Sequence, residues 1–173
     1  MNDLKNKLIR KDITIGSWIT LAHPAIAEIM ANAGFSWLTV DLEHSVITIR
    51  EAEELIRVIN LSGCVPLVRV SDNDPIQIKR VLDAGAQGII VPMINTVEEA
   101  KAAVQAAYYP PKGRRGVGLA RAQAYGAGFQ KYLDSAKKNT IVIGQIEHKE
   151  ALNNLDDLFT LKEIDGYFIG PYD

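Results

Sequence analysis

The sequence predicts an α/β fold, a (β/α)8 TIM barrel that stops after its seventh strand. Three observations predict it. Short apolar runs alternate with longer amphipathic stretches along the whole chain, which is the rhythm of repeated βα units on a parallel sheet. The apolar runs are hydrophobic at successive rather than alternate positions, so both faces of the sheet are covered. A helix that ends at Ala-Gly and runs directly into a buried strand occurs twice, in 30–40 and again in 81–91. No Gly-x-Gly-x-x-Gly turn follows the first strand, which favours a barrel over a doubly wound sheet.

Each element follows from its residues. Residues 13–21 read as the first strand. Pro24 opens a helix that Gly34 closes, with Pro just inside the start and Gly just past the end. Residues 37–41 form the second strand. Thr48 and Glu51 stand at capping-box spacing before a helix whose apolar face is Leu55, Ile56, Val58 and Ile59. Residues 65–70 form the third strand. Asp74-Pro75 starts a helix with Ile76, Ile78, Val81 and Leu82 inside, and Gly85 stops it. Residues 88–91 are the fourth strand, ended by Pro92. Thr96 and Glu99 make a second capping box, with the helix running to Ala107.

The stretch 108–127 is rich in Gly, Pro and Arg and is the longest irregular segment; 115–119 is expected to hold a short fifth strand. A helix over 129–138, a sixth strand over 141–147, a helix over 149–161 and a seventh strand over 166–169 complete the chain. A whole barrel needs eight strands and about 250 residues. Residues 1–173 therefore read as one barrel domain lacking its C-terminal βα portion, whether as a truncated product, a fragment or a partial record.

Composition narrows the function. A formal charge of −2 with no basic run argues against nucleic-acid binding. Apolar stretches are too short to span a membrane, and the N-terminus lacks a signal-peptide core. The single cysteine, Cys64, rules out an internal disulfide and makes the cytoplasm the default location. Cys64 heads an apolar strand and reads as a buried, inert thiol.

Chemistry gathers at strand ends. Gln145 and Glu147 stand at the end of one strand and Asp173 just after the next. In a parallel barrel these ends share the face that carries active sites. Glu147 and Asp173 offer hard oxygen ligands that suit Mg²⁺ or Mn²⁺; the alternative is a solvated loop position for both. His44 lies three residues past Asp41, and an Asp-His pair fixes a tautomer and suits a general base; the alternative is an exposed loop histidine. Arg69, in an otherwise apolar strand, calls for an anion, either a substrate carboxylate or a neighbouring acid. Lys149 admits a Schiff base, but the metal reading explains more of the site. His148 reads as structural, and His23, before Pro24, either lines the mouth or has a plain loop role. Arg121, in the long irregular segment, either holds a distal anionic group of a substrate or is a solvated surface arginine.

Six segments together resemble the HpcH/HpaI aldolases, the class II, metal-dependent pyruvate aldolases. They are Asp41-Leu42-Glu43-His44, Pro66-Leu67-Val68-Arg69-Val70, Val91-Pro92-Met93, Tyr109-Pro110-Pro111 with Arg115-Gly116, Gln145-Ile146-Glu147 and Phe168-Ile169-Gly170-Pro171-Tyr172-Asp173. The resemblance implies a TIM barrel in a homo-oligomer, a hexamer in the family. It implies a divalent metal (Mg²⁺ or Mn²⁺, with Co²⁺ as a third option) on Glu147 and Asp173. It casts His44 as the acid/base residue, Arg69 as stabiliser of an enolate oxygen and Gln145 as a substrate-positioning amide. Backbone N–H groups near Tyr172 and Asp173 would hold a pyruvate carboxylate, and Asp41 and Asp83 would orient the histidine. The implied reaction is reversible aldol cleavage of a 4-hydroxy-2-oxo acid to pyruvate and an aldehyde, as in aromatic compound catabolism. Competing readings are a citramalyl- or malyl-CoA lyase-like enzyme and a non-catalytic barrel remnant that binds a metabolite or supports oligomerisation.

Overall fold

The computed structural model describes residues 3–172. Six strands, β1 (Gly16–Ile19), β2 (Trp37–Asp41), β3 (Val65–Arg69), β4 (Gly88–Val91), β5 (Ile141–Ile146) and β6 (Gly166–Ile169), form one parallel sheet in sequential order. Helices α1 (Asp3–Arg10), α2 (Pro24–Asn32), α3 (Ile49–Leu61), α4 (Pro75–Asp83), α5 (Val97–Ala107), α6 (Phe129–Asn139), α7 (Lys149–Leu152) and α8 (Leu155–Phe159) connect and flank them. A 3₁₀ turn over Arg121–Gly126 precedes α6.

The sheet is curled. Trp18 on β1 packs against Phe168 on β6 with ring centroids 5.2 Å apart, although neither strand is hydrogen-bonded to the other among the described residues. Alternation along each strand then sorts side chains into two cores. Outward residues Leu38, Val40, Val68, Ile89, Val91 and Val142 join the helices in the main core. Inward residues Trp37, Val65, Leu67, Ile141 and Ile143 pack around Leu4 and Leu8 of α1. Helix α1 thus closes the N-terminal end of the half-barrel. The upper inward positions go to Asp41, Arg69 and Gln145, all buried polar residues.

Local signals hold where they are strongest. Both capping boxes form, Thr48 with Glu51 and Thr96 with Glu99, and Pro24 and Pro75 open their helices. The repeated Ala-Gly stop is real in both copies. Ala33 and Ala84 cap α2 and α4, and Gly34 and Gly85 follow with φ of +93° and +105°, a region costly for any residue with a Cβ.

Three expectations need correction. Residues 115–119 form no strand, so six strands are present among the described residues rather than seven. Arg115 instead turns inward: its guanidinium pairs with Asp83 at 2.6 Å and lies over the ring of Tyr109, and its backbone N–H donates to Tyr108 O rather than to a neighbouring strand. The first strand covers Gly16–Ile19, not 13–21. The helix expected over 149–161 is two short ones, broken where the Asn154 side chain donates to Asn95 O at 2.9 Å. Residues 3–10, to which the sequence reading gave no element, form helix α1.

Candidate active site

The C-terminal ends of β2, β3 and β5 deliver one polar cluster. In the β2–β3 register Asp41 sits opposite Arg69, so the ion pair is set by strand pairing. Arg69 Nε donates to Asp41 Oδ1 at 2.9 Å and Nη2 to Oδ2 at 2.6 Å, a bidentate pair. Arg69 Nη1 points towards Gln145 Oε1 at 3.4 Å and lies 3.1 Å from Glu43 Oε2. The guanidinium also lies over the Trp18 ring, 4.6 Å from its centroid. Gln145 Nε2 in turn donates to Glu147 Oε2. Glu147 Oε1 accepts the Met93 N–H at 2.6 Å, and Met93 holds the uncommon φ of +53° that turns this N–H to the carboxylate.

Burial and charge tune the acids differently. Burial works to raise the Asp41 carboxyl, but the Arg69 hydrogen bond and the backbone N–H groups of Glu43 and His44 outweigh it and hold the group below its ordinary value. Burial pushes the Glu43 carboxyl up; Arg69 opposes this and the Glu147 charge adds to it. Asp41 and Glu43 thus share one guanidinium, with the Glu147 charge nearby. His44 is the exposed member, with 58% of its side chain accessible. Asp41 reaches the backbone N–H of His44 at 3.3 Å, not its imidazole. The expected Asp-His side-chain pair is therefore not formed.

The donor set suits a hard divalent cation. It is made of carboxylate oxygens, it carries excess negative charge, and Glu43 Oε2 is buried without a hydrogen-bond partner. Among the described residues no three His, Cys, Asp or Glu side chains are placed to ligate one ion. The second expected ligand, Asp173, lies outside the described residues. Tyr172, just past β6, is fully exposed.

Two expected site residues are placed elsewhere in this chain. Asp83 ends α4 at the opposite end of the half-barrel and pairs with Arg115, so it does not orient His44 here. Arg121 is at that same end, donating to Ala84 O at 3.2 Å and Asn60 Oδ1 at 3.1 Å. A cavity of about 440 Å³ lined by Arg121, Asn60, Tyr132 and Asn139 opens there. It contains none of the acids that converge at the mouth, so the chemistry points to the mouth instead. The helix-start histidines both act as caps: His23 caps α2 and His148 caps α7 through Nδ1. Cys64 is buried, its Sγ donates to Phe35 O, and burial raises its thiol.

The family model described as HpcH/HpaI aldolase/citrate lyase matches residues 14–173. The chain belongs to this family. It is 41% identical to a protein named 4-hydroxy-2-oxovalerate aldolase from Novosphingobium aromaticivorans, over 100% of this chain and 66% of that protein. It is 40% identical to one named hydroxypyruvate/pyruvate aldolase from Roseobacter denitrificans, over 100% of this chain and 68% of that protein. A crystal structure of a family member from Burkholderia cenocepacia superposes with a TM-score of 0.92 at 33% identity, covering 99% of this chain and 69% of that one. The chain thus spans about two thirds of the length of these relatives.

Within this HpcH/HpaI half-barrel, sequence reasoning missed three contributors to the mouth. Glu43 was passed over between Asp41 and His44, although an acid two residues past a strand end was itself a signal. Trp18 carried a signal only in being a large aromatic on a strand that faces the interior. The role of Met93 is a backbone one, which residue type does not announce.

Proposed function

We propose that this chain supplies most of the active site of a metal-assisted aldolase that cleaves a 4-hydroxy-2-oxo acid reversibly to pyruvate and an aldehyde. The observation that carries the proposal is the convergence of Arg69, Gln145, Glu147 and the Asp41–His44 loop at one mouth of the sheet. The aldolase names of relatives about 40% identical support the same reading.

The chain's own residues divide the work as follows. Glu147, with Asp173, would hold a divalent ion of the Mg²⁺ or Mn²⁺ type, with Co²⁺ a third option, and the Met93 N–H fixes the Glu147 carboxylate for that task. When bound, the ion supplies a Lewis acid for the 2-oxo and carboxylate oxygens of the substrate. His44 is accessible and takes the proton of the C4 hydroxyl. The C4–O bond then becomes the aldehyde carbonyl, the C3–C4 bond breaks, and its electron pair moves into the C2 oxygen of a pyruvate enolate. Arg69 Nη1 faces the Gln145 amide and not Asp41, so it is the guanidinium edge placed to stabilise that oxygen. Gln145 orients the keto acid, and the backbone near Tyr172 receives its carboxylate. Protonation of C3 releases pyruvate. The closed eight-stranded barrel and a homo-oligomeric assembly accompany this reading.

The test is pyruvate release from 4-hydroxy-2-oxovalerate in the presence of Mn²⁺. Turnover that disappears with a chelator and returns with Mn²⁺ supports the proposal. Turnover unaffected by thorough chelation removes the metal from it, and absence of pyruvate release from any 4-hydroxy-2-oxo acid removes the reaction.

A further inference from the structure

The end of the half-barrel away from the mouth holds an arginine that pairs with no acid among the described residues. Arg121 Nη1 donates to Ala84 O at 3.2 Å and Nη2 to Asn60 Oδ1 at 3.1 Å. Both acceptors are neutral. A guanidinium has five N–H donors, and the others on Arg121 meet no acceptor among the described residues. Burial and the Arg57 charge hold the guanidinium below its ordinary value. Glu53 is the carboxylate that opposes this, and it is already paired with Arg57 at 3.1 Å.

The position of the guanidinium is built into the fold. A Cβ on residue 85 would collide with Arg121 Nη1, so the group lies where glycine alone leaves room. It borders the cavity of about 440 Å³ described above, a volume within the range of small-molecule pockets. No acid stands in the cavity wall among the described residues; amides and hydroxyls, including Asn60, Tyr132 and Ser135, make up its polar part. Tyr132 is a second donor without an acceptor. Its oxygen accepts Arg115 Nη1 and Nη2, each at 3.2 Å, while its own O–H donates to no group among the described residues. A half-buried cation and a hydroxyl donor on one neutral, polar wall call for an anionic acceptor.

We propose that this cavity is a second ligand site, which takes a small molecule through a carboxylate or phosphate group, with Arg121 as its charged anchor and Tyr132 as a hydroxyl donor. Within this chain the site stands apart from the mouth, and it does not depend on the aldolase reading.

The test is isothermal titration calorimetry of the ¹⁵N-labelled chain in the presence of chelator, which keeps metal-assisted binding at the mouth out of the result. Inorganic phosphate is the probe in one arm and succinate in the other, and the arm that saturates identifies the head group. One site per chain with a Kd at or below about 1 mM is expected. In ¹⁵N–¹H spectra of the same titration the amides of 84–87 and 135–140 should shift, and those of 41–45 should not. Two variants probe the anchor. Asn60→Asp sets a carboxylate against Arg121 Nη2 and leaves the arginine in place; Arg121→Gln removes the charge. Each is expected to weaken binding at least about tenfold. Absence of saturation by both anions overturns the proposal, as does an affinity unchanged in either variant or a set of shifts confined to the mouth.

Discussion

Replacing Asp41 with alanine perturbs the mouth at its most connected point. The side chain is almost wholly buried and accepts bonds from Arg69 through both oxygens and from the N–H groups of Glu43 and His44. Truncation leaves the Arg69 guanidinium, itself only 10% exposed, with Glu43 as its nearest remaining carboxylate, and frees two loop N–H groups. Breaking a buried ion pair from one side costs about 3–5 kcal/mol, a large part of the ~5–15 kcal/mol that holds a domain folded. With a urea dependence of about 2 kcal/mol per molar, the unfolding midpoint should fall by roughly 1.5–2.5 M. The sign with pH is also fixed. The Asp41 carboxyl is held below its ordinary value, so its contribution is complete above the unfolded carboxylate value and is lost as pH falls through the folded one. The gap between parent and Asp41→Ala must therefore narrow on acidification below about pH 4. In the double variant Asp41→Ala/Arg69→Met the loss should be smaller than the sum of the two single losses. A cost for Asp41→Ala under about 1 kcal/mol at neutral pH, or a gap that does not narrow, refutes the reasoning.

Other consequences follow from the same packing. Glu43→Gln should raise the melting temperature at neutral pH, because the native state binds the Glu43 proton more tightly than the unfolded chain does. The gain should shrink as pH falls through the raised native value and vanish below the unfolded one, as thermal melts across that range would show. Lys5→Ala removes a buried ammonium that donates to Tyr108 OH at 3.1 Å, to Asp165 Oδ2 at 3.1 Å and to Thr140 O. A loss of about 3–5 kcal/mol is expected, with faster amide exchange in α1 as the local signature. His148→Ala, by contrast, removes one cap bond at the start of α7 and should cost about 1 kcal/mol while leaving turnover unchanged.

How much of this was legible in the sequence depends on the range of the interactions involved. Five of the six strands and the helices between them carry their own signals: doubly apolar runs, Pro24 and Pro75 at helix starts, and two capping boxes. Gln145 and Glu147 could be placed because strand ends in a parallel sheet share a face. What escaped was set by contacts between distant residues. Arg115 looked compatible with a strand, but Asp83, Tyr109 and Tyr132 draw it inward. Helix α1 is eight residues long with a buried lysine in its first turn, and it is held by Asp165, Thr140 and the interior of the sheet. Asp83 was linked to the mouth through motif resemblance and Arg121 through its place in the long irregular segment, whereas α4 carries Asp83 to the other end.

The most direct measurement is Mn²⁺ binding followed by electron paramagnetic resonance of the free ion, comparing the parent chain with Glu147→Gln. The proposal predicts one bound Mn²⁺ per parent chain and an affinity lowered at least tenfold by the substitution. Equal binding by the two proteins would contradict it.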